Sequence, residues 1–298
     1  MKEPLYLGVD LGGTQLRIAA VTGDGKLATG VLSVPTGKSF SPDDLRRQLT
    51  SLTAELRQQS GAGQFAALGI GVTGIVRQGR LSASDFLPQL NDLELADTLS
   101  SVVGCPVAVE NDARCFTLAE ARFGAGRGAH NICGITLGTG VGGGVMVDGQ
   151  LVRGVSSQAG EVWSIPLRGR HLEYFLSGDG VVRGYLAEGG GAGESSASQP
   201  DSARIADLAR GGDPAARAAW AAFGDDLYFL CGAMIALLEP EVIVIGGSLT
   251  KASDLYFDDV MARLSQWKTQ TRIACAELGG AAGLIGAAAL NIQAGRQK

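Results

Sequence analysis

The chain has 298 residues, 45% of them apolar and 18% charged, with a formal net charge of −5. That is enough apolar material for a full core and enough length for two domains, while an acidic balance with no run of Lys and Arg argues against a broad nucleic-acid surface. The five cysteines, at 105, 115, 133, 231 and 275, are scattered, odd in number and never spaced as CxxC. Reduced thiols in a cytoplasmic protein are therefore expected, and no charged leader or apolar stretch of membrane length is read, so no membrane partner is expected either.

The first segment, Leu5-Tyr-Leu-Gly-Val-Asp10-Leu-Gly-Gly-Thr14, reads as a buried strand ending in an aspartate and a glycine turn. Strands are predicted at about 5–10, 15–21 and 26–34, then a helix from Pro42 to before Gly61, with Asp43 and Asp44 in its first turn. A strand at about 66–72, a loop containing Pro88, a helix near 94–102 and a short strand at 106–110 lead through Asn111-Asp112 into a helix over 113–123. The second half repeats strands at Ile132 onward and adds helices near 173–187, 202–210 and 214–238. The β-branched run Glu241-Val-Ile-Val-Ile245 enters the turn Gly246-Gly247, followed by a helix, a strand at about 271–274 and a helix through Gly283–Ile292. The stretch 188–201 is rich in Gly and Ser and reads as a surface insertion. Strands followed by alternating helix and strand, twice, make an α/β chain of mixed sheets.

The repetition is the informative feature. Leu7-Gly-Val-Asp-Leu-Gly12-Gly-Thr, continuing to Asp24-Gly-Lys-Leu27, has its counterpart in Ile135-Thr-Leu-Gly138-Thr-Gly140, continuing to Asp148-Gly-Gln-Leu151. Each reads strand, glycine turn, strand, Asp-Gly turn. Bare amides in a glycine turn suit anionic oxygens, and a carboxylate such as Asp10 beside them suits the water shell of a phosphate-bound magnesium. Two such units imply two related lobes with a ligand between them. Gly138-Thr-Gly140-Val-Gly-Gly143 also fits the dinucleotide fingerprint GxGxxG, but that motif demands a following helix, and here the glycines run into β-rich Val145-Met-Val. A Rossmann site is rejected.

In order and spacing, Asp10-Leu-Gly-Gly-Thr14, Glu110-Asn-Asp112-Ala, Leu137-Gly-Thr-Gly-Val-Gly-Gly-Gly144, Ala159-Gly-Glu161, Leu172-Glu173 and Val244-Ile-Gly-Gly247 resemble the ROK family, the bacterial sugar-kinase branch of the actin, hexokinase and Hsp70 ATPase superfamily. The resemblance implies a two-lobed actin-like ATPase (ribonuclease H-like) fold of duplicated mixed-sheet domains. It implies a small lobe over 1–112, with a C-terminal helix at 284–298 packing back on it, and a large lobe over 113–283. By resemblance, Asp10, Gly12, Gly13 and Thr14 form the first phosphate hairpin, with Asp10 holding Mg²⁺ through water. Gly138, Thr139 and Gly140 form the second, and Gly246 and Gly247 lie beside adenosine. Asp112 resembles the base that deprotonates the sugar hydroxyl. Asn111, Asp112 itself, Glu161, Glu173 and the Gly74 backbone resemble sugar contacts.

The residue types fit that chemistry, since phosphoryl transfer asks for positioning and charge stabilisation more than covalent catalysis. Ordinary explanations stand beside it: Asp112 directly before an apolar helix could be an N-cap, Asn111 a turn residue, Glu161 a solvated charge and Glu173 a helix-start acid. The order of the motifs outweighs them.

The chain also departs from the family pattern. Many members carry Gly-Glu-x-Gly-His and a cysteine-rich zinc motif, whereas here the stretch reads Gly160-Glu-Val-Trp163-Ser164-Ile-Pro-Leu-Arg-Gly-Arg-His171-Leu-Glu173, with no cysteine between Cys133 and Cys231. No structural zinc is expected. Ser164 stands where a sugar-contacting histidine is usual, His171 where a zinc cysteine is usual, and Asp85-Phe86-Leu-Pro where Asn-Leu-Pro is frequent. The expected activity is an ATP- and Mg²⁺-dependent phosphotransfer to a glucose-like or N-acetylhexosamine hydroxyl, in a cytoplasmic homodimer. A catalytically silent sugar-binding protein is the alternative, and polyphosphate remains open as the donor. The repressors of the family carry a winged helix-turn-helix before the first phosphate strand, which here begins at Leu5, so a repressor is not expected.

Overall fold

The computed structural model describes residues 3–191 and 200–292. Most of the predicted glycine-serine insertion (192–199) and the end of the predicted C-terminal helix (293–298) lie outside them. The chain divides into two compact units, residues 1–128, 144–159 and 277–298 in the first, and residues 129–143 and 160–276 in the second.

The first unit opens with β1 (Leu5–Leu11), β2 (Gln15–Thr22) and β3 (Leu32–Pro35), followed by α1 (Pro42–Ser60) and β4 (Leu68–Val72). Next come β5 (Ile75–Arg77), β6 (Arg80–Ala83), β7 (Leu93–Glu94), α2 (Leu95–Val103), β8 (Val107–Asn111) and α3 (Asp112–Phe123). Its main sheet has the order β3-β2-β1-β4-β8, with β1 antiparallel to β2 from Leu5↔Thr22 to Leu11↔Leu16 and parallel to β4 at Leu7↔Leu68. α1 starts where the sequence signals it: Ser41 and Asp44 form a reciprocal capping box, Pro42 takes the first turn, and Gly61 ends the helix at φ 62°.

Two predicted features differ. The third strand begins at Leu32 rather than near 26, because the Thr29 hydroxyl accepts the Ala20 N–H at 3.0 Å and so takes the place of a ladder partner. The predicted loop around Pro88 instead joins the last two strands of a small sheet, β5-β6-β7. Its hairpin turns at Gln78 and Gly79, both at positive φ, as a two-residue turn of this hand requires. Strands of three, four and two residues are too short to show a period of two.

The second unit holds β9 (Ile132–Leu137). β10 (Val141–Val147) runs from it into the first unit, where β11 (Gln150–Leu151) follows. After two short strands, β12 (Pro166–Leu167) and β13 (Arg170–His171), come α4 (Gly178–Ala187), α5 (Ser202–Arg210), α6 (Pro214–Leu238), β14 (Val242–Gly246), α7 (Phe257–Leu264) and β15 (Arg272–Cys275). β14 lies parallel to β9 at Val242↔Ile132 and to β15 at Val242↔Arg272. β10 is a strand, as the rejection of a dinucleotide fingerprint requires. The helix predicted from 173 begins only at Gly178, after a 3-10 turn over Leu172–Tyr174, because Ser177 caps it by accepting from Gly180 N. α6 is long and apolar enough to cross a membrane, contrary to the sequence reading of no such stretch; half of its apolar window is buried. Trp220 and Phe223 on it pack with Tyr256, ring centroids 5.0 to 5.8 Å apart.

The last helix, α8 (Ala282–Ala289), belongs to the first unit and packs on β1, β4 and α3. Contact there is backbone to backbone. A Cβ at Gly8 would lie 2.0 Å from the Leu284 carbonyl oxygen, one at Gly69 1.7 Å from that of Ala287, and one at Gly286 1.8 Å from that of Cys115. α3 also packs on this helix and is grouped with the first unit, whereas the sequence reading starts the second lobe at 113. Gly286→Ala should therefore cost at least about 1–3 kcal/mol through overpacking, read as a lower urea midpoint. A midpoint equal to wild type would contradict this packing.

Candidate functional site

In the first unit the turn after β1 is closed by Gly12 N donating to the Gln15 carbonyl at 3.0 Å. It is tied down by Thr36, whose hydroxyl donates to Gly12 O at 2.8 Å and whose N–H donates to Thr14 O at 2.9 Å. Neither Gly12 nor Gly13 has a positive φ, so conformational freedom is not why they are glycines. Gly13 is required by close approach: a Cβ there would sit 2.8 Å from Phe86 Cβ. Phe86, the residue that departs from the family pattern, thus lies over the turn.

Asp10 is half-buried one step before this turn, with Arg17 3.5 Å from Oδ2 and the Gly283 backbone close by. Burial raises its pKa above the usual 3.8, and Arg17 offsets only part of that. A hard carboxylate oxygen beside open amides is a donor set that fits Mg²⁺ held through its water shell. The sign of the pKa shift makes a prediction. A raised folded-state pKa means the ionised form is disfavoured by folding, so the stability present below pH 3.8 is lost as pH rises through the folded value. Asp10→Asn should melt with wild type in acid and above it at pH 7; a lower melting temperature at pH 7 would contradict the burial argument.

Asn111 ends β8 and caps α3: its Oδ1 accepts Arg114 N at 3.1 Å and its Nδ2 donates to Gly74 O at 3.1 Å. The amide brings two candidate sugar contacts together and retains one N–H and one lone pair for a ligand. The capping role that the sequence allows for Asp112 is therefore filled by Asn111. Asp112 is the first residue of the helix, its Oδ1 accepting Ala113 N at 2.8 Å. Gly74 itself needs to be glycine, with φ 131° and a Cβ position 2.4 Å from Ala83 O.

Beneath this pair lies a network that the sequence reading did not find. Glu110 is 1% exposed and Arg114 0%. Glu110 Oε1 accepts from Arg114 at 3.0 Å and from Asn111 N at 2.9 Å, and Oε2 accepts from Arg153 at 2.7 Å. Arg114 also donates to the carbonyls of Ser157 and Ala159, at 2.7 and 3.1 Å. At the other end of α3, fully buried Glu120 accepts the N–H groups of Ala125, Glu277 and Leu278. Glu110 also lines a recess of about 620 Å³ with Arg77, Arg153 and Gly154, but none of the candidate site residues lines it.

In the second unit, Gly138 N donates to Gly140 O at 3.0 Å, closing the second glycine turn around Thr139. Gly247, at φ 96°, would place a Cβ 2.2 Å from Leu137 O, so the turn after Gly246 packs directly against the end of β9. Glu173 stands on the 3-10 turn and accepts Val141 N at 2.9 Å. Glu161 accepts from Trp163 Nε1 at 2.8 Å, and Ser164 donates to the Glu161 carbonyl at 2.8 Å. Exposed His171 has Nδ1 3.4 Å from Ser164 O and its ring against Trp163. Arg168 pairs with Asp226 and lies 4.1 Å over the Phe175 ring. Burial raises the Asp226 pKa, opposed by that arginine. Among the described residues no three His, Cys, Asp or Glu side chains are grouped as a metal site.

A strand, glycine turn and strand opening each of two mixed-sheet α/β units define the actin-like ATPase fold, and the molecule aligns over 97% of its length with all of the ROK family glucokinase of Streptomyces griseus, solved with glucose and AMPPNP, at 27% identity and a TM-score of 0.79. The ROK family model matches residues 6–294, and the chain belongs to that family. It is 30% identical to the N-acetylgalactosamine kinase AgaK of Shewanella sp. strain ANA-3, covering 96% of both chains, and 30% identical to the glucokinase of Streptomyces coelicolor, covering 96% of this chain and 97% of that one.

Proposed function

We propose that the protein is a cytoplasmic sugar kinase that moves the γ-phosphoryl group of Mg-ATP to a hydroxyl of a hexose, glucose-like or N-acetylated, with Asp112 as the general base. The observation that carries the reading is the division of labour at the start of α3. Asn111 makes the cap and Glu110 and Arg114 make the buried support, so Asp112 is not needed for either. Relatives acting on glucose and on N-acetylgalactosamine support the acceptor class.

In this reading Asn111, Glu161, Glu173 and the Gly74 backbone orient the sugar, and Asp112 takes the proton of the attacking hydroxyl. The turns Gly12-Gly13-Thr14 and Gly138-Thr139-Gly140 hold phosphate oxygens through the amides of Gly13, Thr14, Thr139 and Gly140, since those of Gly12 and Gly138 close the turns, and Gly246-Gly247 flank the adenosine. Asp10 would hold Mg²⁺ through its water shell, and the ion when bound would supply neutralisation of phosphate charge. The homodimer implied by family resemblance is part of the proposal.

The test is ADP release with Mg-ATP across glucose, mannose, fructose, N-acetylglucosamine, N-acetylmannosamine and N-acetylgalactosamine, with polyphosphate as a second donor followed by sugar-phosphate formation. Turnover dependent on one of these sugars is expected. Sugar binding without turnover from either donor would instead establish the silent, sugar-binding alternative.

A further inference from the structure

Resting on that reading, we propose that Glu173 is also a positioning residue for the nucleotide turn, through which sugar and nucleotide binding are coupled. The turn Gly138-Thr139-Gly140 carries almost no side chain by which it could be anchored. Both of its ends are held from one stretch of chain, residues 173–178. Gly178 N donates to Gly138 O at 2.9 Å, and Glu173 Oε2 accepts Val141 N at 2.9 Å. A Cβ at Gly140 would fall 2.6 Å from the same carboxylate oxygen, so the turn closes directly on Glu173.

Glu173 is itself well placed to be rigid. Its neighbour Leu172 is fully buried and donates to the Ile165 carbonyl at 2.9 Å, while Phe175 and Leu176 both donate back to Leu172 O. The acceptor is charged and Val141 is buried, so this hydrogen bond is of the stronger kind and costly to leave unmade. Oε2 is committed to the turn, and Oε1 has no hydrogen-bond partner among the described residues. One carboxylate therefore holds the phosphate turn with one oxygen and offers the other to a sugar hydroxyl. A sugar that fixes the carboxylate also fixes the turn, and by linkage nucleotide must tighten sugar by the same factor.

The experiment compares wild type, Glu173→Ala and Glu173→Gln, the last keeping an acceptor for Val141 N. Hydrogen exchange of the Val141 amide, measured on the ligand-free chain, should speed up about tenfold or more in the alanine variant and stay near wild type in the glutamine variant. Calorimetric affinity for Mg-AMPPNP with no sugar present should fall about tenfold in Glu173→Ala and recover to within about threefold in Glu173→Gln. Wild type should bind AMPPNP more tightly with glucose or N-acetylgalactosamine present, and the alanine variant should lose that gain. A residue that only touches sugar would move neither sugar-free readout, and unchanged exchange with unchanged AMPPNP affinity in Glu173→Ala overturns the proposal. If wild type binds no AMPPNP while the exchange effect is seen, ATP as the donor and the coupling fail and only the anchoring of the turn stands.

Discussion

Asp112→Asn should lose about 10²–10⁴-fold in kcat while binding sugar within a few-fold of wild type. The substitution keeps size and hydrogen-bonding shape, and the Ala113 N–H that Asp112 Oδ1 accepts can be taken equally by an amide oxygen. Asn111 remains the cap of α3, and Glu110 and Arg114 remain beneath it, so the start of the helix is not expected to move. The negative charge is removed, and with it the capacity to accept a proton from the attacking hydroxyl. The check is kcat from steady-state turnover beside sugar affinity from calorimetry on the same preparation. Wild-type kcat in the variant would remove Asp112 from the mechanism, and loss of sugar binding with kcat per bound sugar intact would make it a binding group only.

Arg114→Ala should be the most damaging substitution for stability, about 3–5 kcal/mol, because it leaves the carboxylate of Glu110 buried with one partner gone. The guanidinium makes the 3.0 Å contact to Glu110, which is 1% exposed, and supports the half-buried carbonyls of Ser157 and Ala159. Glu110→Gln with Arg114→Met removes both charges at similar volume and should recover more than half of the loss. Urea unfolding of the three chains measures this. A single variant within 1 kcal/mol of wild type would mean the pair is not the support described here. Activity should fall further than the folded fraction alone predicts, since Asn111 N also bonds to Glu110 and a small shift of the base is costly in rate.

The two glycine hairpins, the capped first helix and the strand-to-helix step at Asn111-Asp112 were legible because each combines a period with a punctuation residue: Ser41 before Pro42, Gly61 after Ser60, and glycines at the ends of β1 and β9. The small sheet β5-β6-β7 was not, because its strands are shorter than the period that would reveal them. Glu110 and Arg114 carry a faint signal, the spacing of four, but it spans a strand-to-helix junction where spacing alone does not bring side chains together. Phe86 over Gly13 and Glu173 on Val141 depend on contacts distant in sequence, for which a single chain offers no sign. At Gly13, where φ is ordinary, it is close packing against Phe86 that excludes a side chain.

Phosphorylation of a sugar is tested on the product itself, by ³¹P NMR of reactions holding Mg-ATP, chain and a sugar that supports ADP release. A sugar phosphomonoester resonance should grow in step with ADP, coupled to the protons of one carbinol carbon, and be absent with Asp112→Asn over the same time. ADP appearing with inorganic phosphate alone, whatever sugar is present, would make the protein a nucleotide hydrolase and contradict the account.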